Sequence, residues 1–453
     1  MTVHARDWID HAIFWHVYPL GFVGAEPCAL PDGEVHHRLD HIVAWLDYAV
    51  RLGVSCLLLG PVFASSTHGY DTIDHFRIDP RLGDEADFDR LIGEARRRGL
   101  HVVLDGVFNH VGRDFPRFRS ALAKGGNSQE AAWFRRTNGN IWDDQAFATF
   151  EGHPGLIALS HDNPEVSDHV VRVMNHWLDR GVSGWRLDAA YAVPHGFWAA
   201  VLPQVKSRHP HAFIFGEVIH GDYTALVREA GVDAVTQYEL WKAIWSAIND
   251  RNLFELAWAL DRHNQFLEVF APLTFVGNHD VTRLASKLAD ERHIPHALAI
   301  LFTLGGTPCV YAGDEQAFRG IKEDRAGGDD AIRPMFPATA DELSSTGWSI
   351  YRLHQHLIGL RRRHSWLVRA RSRVAHLKNR HMVLNMAADG HSLTVVLNLD
   401  DRDSVLPAPY AAEMLAGTAA IADAGSSSAS VNVPAHSWGV LSLSTSPQVS
   451  PGN

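Results

Sequence analysis

The chain has little cysteine, no long apolar run and no basic surplus. Of its 453 residues only Cys28, Cys56 and Cys309 are cysteines. An odd count with no metal-like spacing argues against a disulfide scaffold and a cysteine-based zinc site. Cys56 and Cys309 sit in apolar, strand-like runs and read as buried thiols. No stretch of about 18 apolar residues occurs, so no membrane span is expected. The formal net charge is −11, and no basic run is interleaved with aromatics, which excludes nucleic acid as a partner. The N-terminal MTVHARDWIDHAIFWHVYPL carries two acids and no apolar core ahead of the first strand, so no export signal is read and a cytoplasmic setting is expected.

What is present is a 46% apolar chain, enough for one large domain and a smaller one. Eight β-branched or apolar runs stand out: Ile13–Tyr18, Val54–Leu59, His101–Leu104, Val182–Leu187, Phe213–Phe215, Ala234–Thr236, Leu273–Val276 and Cys309–Tyr311. Helical periodicity fills most of the intervals, at Leu39–Leu52, Asp84–Arg98, Glu165–Arg180, Glu239–His263 and Arg292–Leu304. The second of these opens on acids, closes on three arginines and stops at Gly99, as the helix dipole favours. Eight alternations of strand and helix predict an α/β fold, a closed (β/α)8 TIM barrel.

One interval is too long. Asp105 and Asp188 are 83 residues apart, Asp188 and Glu217 only 29. A βα unit takes about 30 residues, so roughly 50 are surplus. The surplus is assigned to a small subdomain, residues 111–160, inserted after the third strand. The barrel then comprises 1–110 and 161–365. Beyond it the helical pattern ceases, and SLTVVLNL (392–399) and SWGVLSLS (437–444) predict a C-terminal β-sandwich over 366–446, with a tail at 447–453. Ala420–Ser430, rich in small residues, reads as a loop.

Five segments at or after apolar runs carry the chemistry: HGYD (68–71), DGVFNH (105–110), GWRLD (184–188), FGE (215–217) and FVGNHD (275–280). A barrel enzyme places its reacting groups at the carboxyl ends of several strands. Asp188, Glu217 and Asp280 suggest acetal cleavage, in which one acid protonates the leaving oxygen and a carboxylate about 5 Å away attacks the sugar carbon with retention. Arg186 shares a strand face with Asp188 and would keep it ionised, as a nucleophile needs. Glu217 ends an apolar strand, a setting that raises a carboxyl pKa and suits a general acid. Asp280, His279 and His110 can bind hydroxyls, and Tyr70 offers a flat face to a sugar ring. Trp185 points the other way on its strand and reads as core. Trp142 and Phe147, in the insert, are candidates for sugar stacking. Asp314 and Glu315 read either as caps on the eighth strand or as part of the active mouth.

DGVFNH, GWRLDAA, GEV and FVGNHD resemble the four signature regions of the α-amylase superfamily, glycoside hydrolase family 13. VYPLGF (17–22), GVSCLLLGPVF (53–63), HGYDTIDHFRIDPRLG (68–83), GTPCVYAGDE (306–315) and LIALSHDNPEV (156–166) extend the likeness from residue 13 to about 340, nearest in form to neopullulanase and cyclomaltodextrinase members. The resemblance implies Asp188 as nucleophile, Glu217 as acid/base and Asp280 as transition-state stabiliser. Arg186, His110, His279, Tyr70 and Asp71 would line the subsite of the attacked glucose, with Asp105 structural or near the site. The implied substrate is an α-glucan oligosaccharide, linear, cyclic or branched, joined by α-1,4 or α-1,6 bonds. A transglycosylase or glucan isomerase uses the same intermediate, and a non-catalytic sugar-binding barrel is the remote alternative.

Three departures qualify the likeness. Tyr191 and Ala192 stand where many endo-acting amylases have Lys-His. The neopullulanase type usually carries an extra β domain before the barrel, for which the residues ahead of Ile13 leave no room, so its dimer arrangement is not implied and either a monomer or a homodimer is expected. The loop after the first strand, GAEPCALPDGEVHH, has few calcium ligands. Asn109 holds a position that binds calcium in some relatives, but no metal ligand and no required cofactor is assigned.

Overall fold

A computed structural model describes residues 7–31, 34–137, 146–325 and 327–444. The chain divides into two compact units, residues 1–236 with 333–343, and residues 237–332 with 344–453.

The first unit contains six parallel strands: β1 (Phe14–Val17), β2 (Cys56–Leu59), β3 (His101–Gly106), β4 (Gly184–Leu187), β5 (Phe213–Gly216) and β6 (Ala234–Val235). They pair in chain order from β1 to β6. Apart from His101 every strand residue is buried, so the strands do not alternate between a buried and an exposed face, and His16, Asp105 and Arg186 are charged or polar members buried among apolar ones. Gly184 has to be glycine: a Cβ there would stand 2.0 Å from the Phe213 carbonyl oxygen. Helices follow the strands. Glu85–Arg97 starts on a capping box in which the Asp84 side chain accepts from the Asp87 N–H and Asp87 reaches back to the Asp84 N–H. Helix Leu39–Leu52 has the expected bounds, and Pro164–Asp179 lies within one residue of them.

The expected insert is closed at its base by antiparallel pairing of His110–Gly112 with Leu156–Ala158. Phe147 does not present its ring to a ligand. It is buried with Phe118 and Phe134, at ring-centroid distances of 5.0 and 5.9 Å, because a segment this small needs its aromatics for its own core. Trp142 lies outside the described residues.

The second unit holds the parallel pair β7 (Leu273–Phe275) and β8 (Thr307–Tyr311). The long helix expected over 239–263 is two helices, Tyr238–Asn249 and Leu253–Phe266. The chain breaks at Arg251, whose φ of 50° no helix accommodates. Arg361, buried on helix Trp348–Arg363, donates to the carbonyls of Phe302, Leu304 and Gly306 and so caps the carboxyl end of Ile294–Thr303. An all-β section then runs from Arg371 to Leu443 in a five-stranded and a three-stranded sheet, around Val383, Val396, Leu406, Val431 and Leu441. Within the stretch expected as loop, Ala420–Ala422 pairs with Ser430–Val433 as a short strand: its alanines are too small to signal one, and the partner strand supplies the bonds.

Eight parallel strands alternating with helices, followed by an all-β domain, make the fold a (β/α)8 barrel with a C-terminal β domain. Among the described residues no helix is long and apolar enough to cross a membrane.

Candidate active site

At the carboxyl ends of β3, β4 and β5 the first unit gathers three carboxylates on one guanidinium. Strand register sets Asp105 beside Arg186, and Arg186 beside Phe215. Arg186 Nη1 donates to Asp105 Oδ1 and Oδ2 at 2.7 and 2.6 Å and to Asp188 Oδ1 at 3.2 Å. Arg186 Nη2 stands 2.6 Å from Glu217 Oε1. All four side chains are buried. Burial alone would lower the Arg186 pKa, but Asp105, Glu217, Tyr70 and Asp188 outweigh it and hold the cation well above its ordinary range.

The backbone between the acids is bent to serve them. Ala189, next to Asp188, takes φ 44° and ψ 41°, a left-handed conformation costing a non-glycine residue about 1–3 kcal/mol. That turn aims the Ala189 N–H at Glu217 Oε2, 3.1 Å away. Glu217 therefore lacks the apolar surroundings expected from its strand. Phe213–Phe215 are apolar, yet the carboxyl group meets a guanidinium from β4 and a peptide N–H from the turn after β4, neither of them from its own strand.

The remaining candidates of this unit divide into two groups. The Tyr70 hydroxyl donates to Asp105 Oδ2 at 3.2 Å, which brings Tyr70 into the cluster. His110 is buried, stacks on Phe150 at 4.8 Å and faces the Asn109 amide at 3.1 Å. Burial pushes the His110 pKa down to about 3, against a bond to the Tyr70 backbone, so the ring is neutral. Asp71 is turned elsewhere: its oxygens accept the Thr67 N–H at 3.1 Å and the Thr67 hydroxyl at 2.7 Å, bracing the loop that carries Tyr70. Trp185 is buried against Phe63 and Phe108, as strand alternation requires.

Tyr191 lies close enough to both acids, Asp188 and Glu217, to feel their charge. Its hydroxyl donates to Glu151 Oε1 at 2.7 Å and its ring lies 4.8 Å from His220. Its pKa is raised, first by burial and then by Glu151, with Glu217 and Asp188 adding to the effect. The sequence marked the position only as a departure from Lys-His, since nothing local ties residue 191 to residue 151.

In the second unit the segment after β7 carries His279 and Asp280. His279 is fully buried, with Nε2 3.0 Å from Asp280 Oδ2. The Asp280 N–H donates to Asn278 Oδ1 at 2.9 Å, and Asn278 Nδ2 donates to the Tyr238 hydroxyl at 2.8 Å. Past β8, Glu315 accepts the Gly313 N–H at 2.9 Å and caps the turn, while Asp314 takes Arg283 Nη1 at 3.0 Å.

Comparison with known proteins gives this geometry its context. Residues 31–345 match the α-amylase catalytic domain. Neopullulanase 2 of Thermoactinomyces vulgaris is 30% identical over 435 residues, covering 88% of this chain and 71% of that protein. The intracellular maltogenic amylase of Bacillus subtilis strain 168 is 30% identical over 342 residues, 70% of this chain and 58% of that protein. The crystal structure of an acarbose-soaked debranching enzyme from Nostoc punctiforme matches 97% of this chain and 99% of its own with a TM-score of 0.79 at 26% identity. A (β/α)8 barrel with these matches is a glycosidase. The chain belongs to the α-amylase family.

Proposed function

We propose that the protein is a retaining α-glycoside hydrolase that cleaves α-1,4, and in branched substrates α-1,6, glucosidic bonds of linear, cyclic or branched malto-oligosaccharides. The observation that carries the reading is the sharing of Arg186 by Asp188 and Glu217. Two carboxylates on one planar guanidinium are separated by a single small group, which favours the closely spaced pair of a retaining enzyme over the wider pair that leaves room for a water.

In the first step a carboxylate oxygen of Asp188 bonds to the anomeric carbon as the glycosidic C–O bond breaks, and Glu217 gives its proton to the departing oxygen. In the second, Glu217 takes a proton from water, the hydroxyl oxygen bonds to the same carbon, and Asp188 leaves. Asp280 is assigned to transition-state stabilisation on the strength of the FVGNHD motif. His110, His279, Arg186 and Tyr70 are assigned to the attacked sugar. Asp105 is assigned to anchoring Arg186, and Asp71 to bracing the loop that carries Tyr70. The relatives' substrates and the intracellular setting of one of them support an α-glucan substrate met in the cytoplasm.

The test is Asp188→Asn. Turnover of maltotriose should fall roughly 10⁴-fold or more with the fold unchanged by circular dichroism, and retention of near-normal turnover would refute the assignment. Products from maltotriose, pullulan and a cyclodextrin, with glucose as acceptor, then decide between water and a sugar hydroxyl as the second nucleophile.

A further inference from the structure

Away from the catalytic cluster, the second unit brings together three side chains that are distant in sequence. Asp290 accepts the Arg292 N–H at 3.1 Å and starts the short turn Glu291–His293. The three-residue spacing places Asp290 and His293 on one side of that turn. His436 comes from the C-terminal β domain, in the turn before strand Ser437–Leu443. Its backbone is fixed at φ 52°, with its N–H on the Asp400 carbonyl at 3.0 Å. The ligating atoms of Asp290, His293 and His436 all lie within 4.8 Å of one another, and His293 Nε2 is 3.0 Å from His436 Nδ1.

We propose that Asp290, His293 and His436 form a binding site for a borderline divalent cation of the zinc type, which ties the loop at Asp290 to the C-terminal β domain. Two imidazoles and one carboxylate suit zinc and disfavour calcium or magnesium, which take oxygen ligands. In a tetrahedral zinc site with bonds of about 2.0–2.1 Å, neighbouring ligand atoms stand roughly 3.3 Å apart, so the imidazole pair needs only a few tenths of an ångström.

The second observation is the outer partner. His436 Nε2 donates to Asp401 Oδ1 at 2.8 Å, and Asp401 Oδ2 accepts from Arg251 Nη1 at 3.1 Å. A carboxylate on the far nitrogen fixes the tautomer and leaves the Nδ1 lone pair for a cation, an arrangement general to metal-bound histidines. His293 meets that lone pair with its own Nε2. In the absence of metal it donates a proton there; on metal binding that proton moves to His293 Nδ1, with no net release. Asp290 Oδ2 is held by the exposed Arg292 guanidinium, Nη2 at 2.7 Å, which can swing away while Oδ1 keeps the Arg292 N–H. A cavity of about 490 Å³, lined by Asn249, Arg251, Asp290, Arg292 and His293 among others, gives the ion a route in and space for a water as fourth ligand.

The experiment is zinc titration of the full-length chain after chelation and dialysis, followed by calorimetry and thermal unfolding. Wild type should take up one Zn²⁺ through this site and unfold at a higher temperature with zinc than without it. His436→Gln should abolish that uptake and the thermal shift. Asp401→Asn, which keeps every ligand, should weaken affinity about 10–100-fold. Hydrolytic rates of all three proteins should agree within about twofold, since none of these residues is in the catalytic cluster. If His436→Gln fails to fold by circular dichroism, Asp401→Asn decides alone. Absence of uptake by wild type at about 100 µM zinc, or uptake equal in wild type and Asp401→Asn, overturns the proposal.

Discussion

Arg186 on β4 and Arg283, in the segment after β7, are both buried arginines paired with acids, and their surroundings differ. Arg186 is shared by Asp105, Asp188 and Glu217. Arg283 holds one acid, Asp314, donates to the Ala312 carbonyl at 3.0 Å and lies over the Tyr311 ring at 4.3 Å. The second arrangement is one cation, one acid and an aromatic face. The first gathers three acids on one guanidinium in a buried place. Folding alone gives no reason to bury unbalanced charge, which costs several kcal/mol per ion. The surplus of acids is what the proposed catalytic role of the first cluster accounts for, and it separates the two arginines where burial does not.

Removing each cation tests that distinction and carries the largest expected effect. Arg186→Met should lower kcat/KM by about 10³-fold or more and cost roughly 3–5 kcal/mol, because three carboxylates lose their common partner. Arg283→Met leaves one acid that can escape by taking up a proton. It should cost less in urea denaturation and reduce kcat/KM far less. Equal losses of activity in the two variants would erase the difference between the sites.

The next effect is a pH dependence. Burial pushes the Asp314 carboxyl from 3.8 up to about 6, against the pull of Arg283. The folded chain thus holds this proton more tightly than the unfolded chain. The associated stabilisation is complete below about pH 4 and is lost as pH rises through about 6. Asp314→Asn removes the titration. The unfolding free energy of the variant minus that of wild type should therefore increase by about 2.5 kcal/mol between pH 4 and pH 7. A difference that stays flat with pH would mean that Asp314 is ionised throughout and that Arg283 balances it fully.

What could be read from residue order follows the same division between local and distant contacts. The facing of Arg186 and Asp188, the opposite facing of Trp185 and the helix start at Asp84 each depend on residues within three positions, and each was legible. The pairing of Asp105 with Arg186 is set by strand register across 81 residues, which no local pattern encodes. Glu217 was misread for that reason: its own strand is apolar, and the polar contacts arrive from β4 and the turn after it. Phe147 was misread because an aromatic in an insert looks the same whether it packs or binds. The break at Arg251 had a local signal that the long periodic run masked, since Asn249, Asp250 and Asn252 around it are poor helix formers, whereas the meeting of His293 with His436 was hidden by a separation of 143 residues.

The smallest effect concerns how much of the Arg186 cluster depends on its outermost member. The Tyr70 hydroxyl donates to Asp105 Oδ2, an oxygen that also accepts Arg186 Nη1 at 2.6 Å. Asp105 stays paired without it, so the hydroxyl should contribute no more than about 0.5–1.5 kcal/mol. The ring is a separate matter, because a flat aromatic face is what packs against a pyranose. Tyr70→Phe should accordingly change kcat/KM on maltotriose by less than about tenfold, whereas Tyr70→Ala should raise KM further and lower kcat/KM by a larger factor. The ordering of these two variants carries the information. If Tyr70→Phe were as damaging as Tyr70→Ala, the hydroxyl would be holding Asp105 in place, and Arg186 would not be the sole centre on which the acids are arranged. If both were harmless, Tyr70 would have no part in binding the sugar, and the face of the site would have to be built from other side chains.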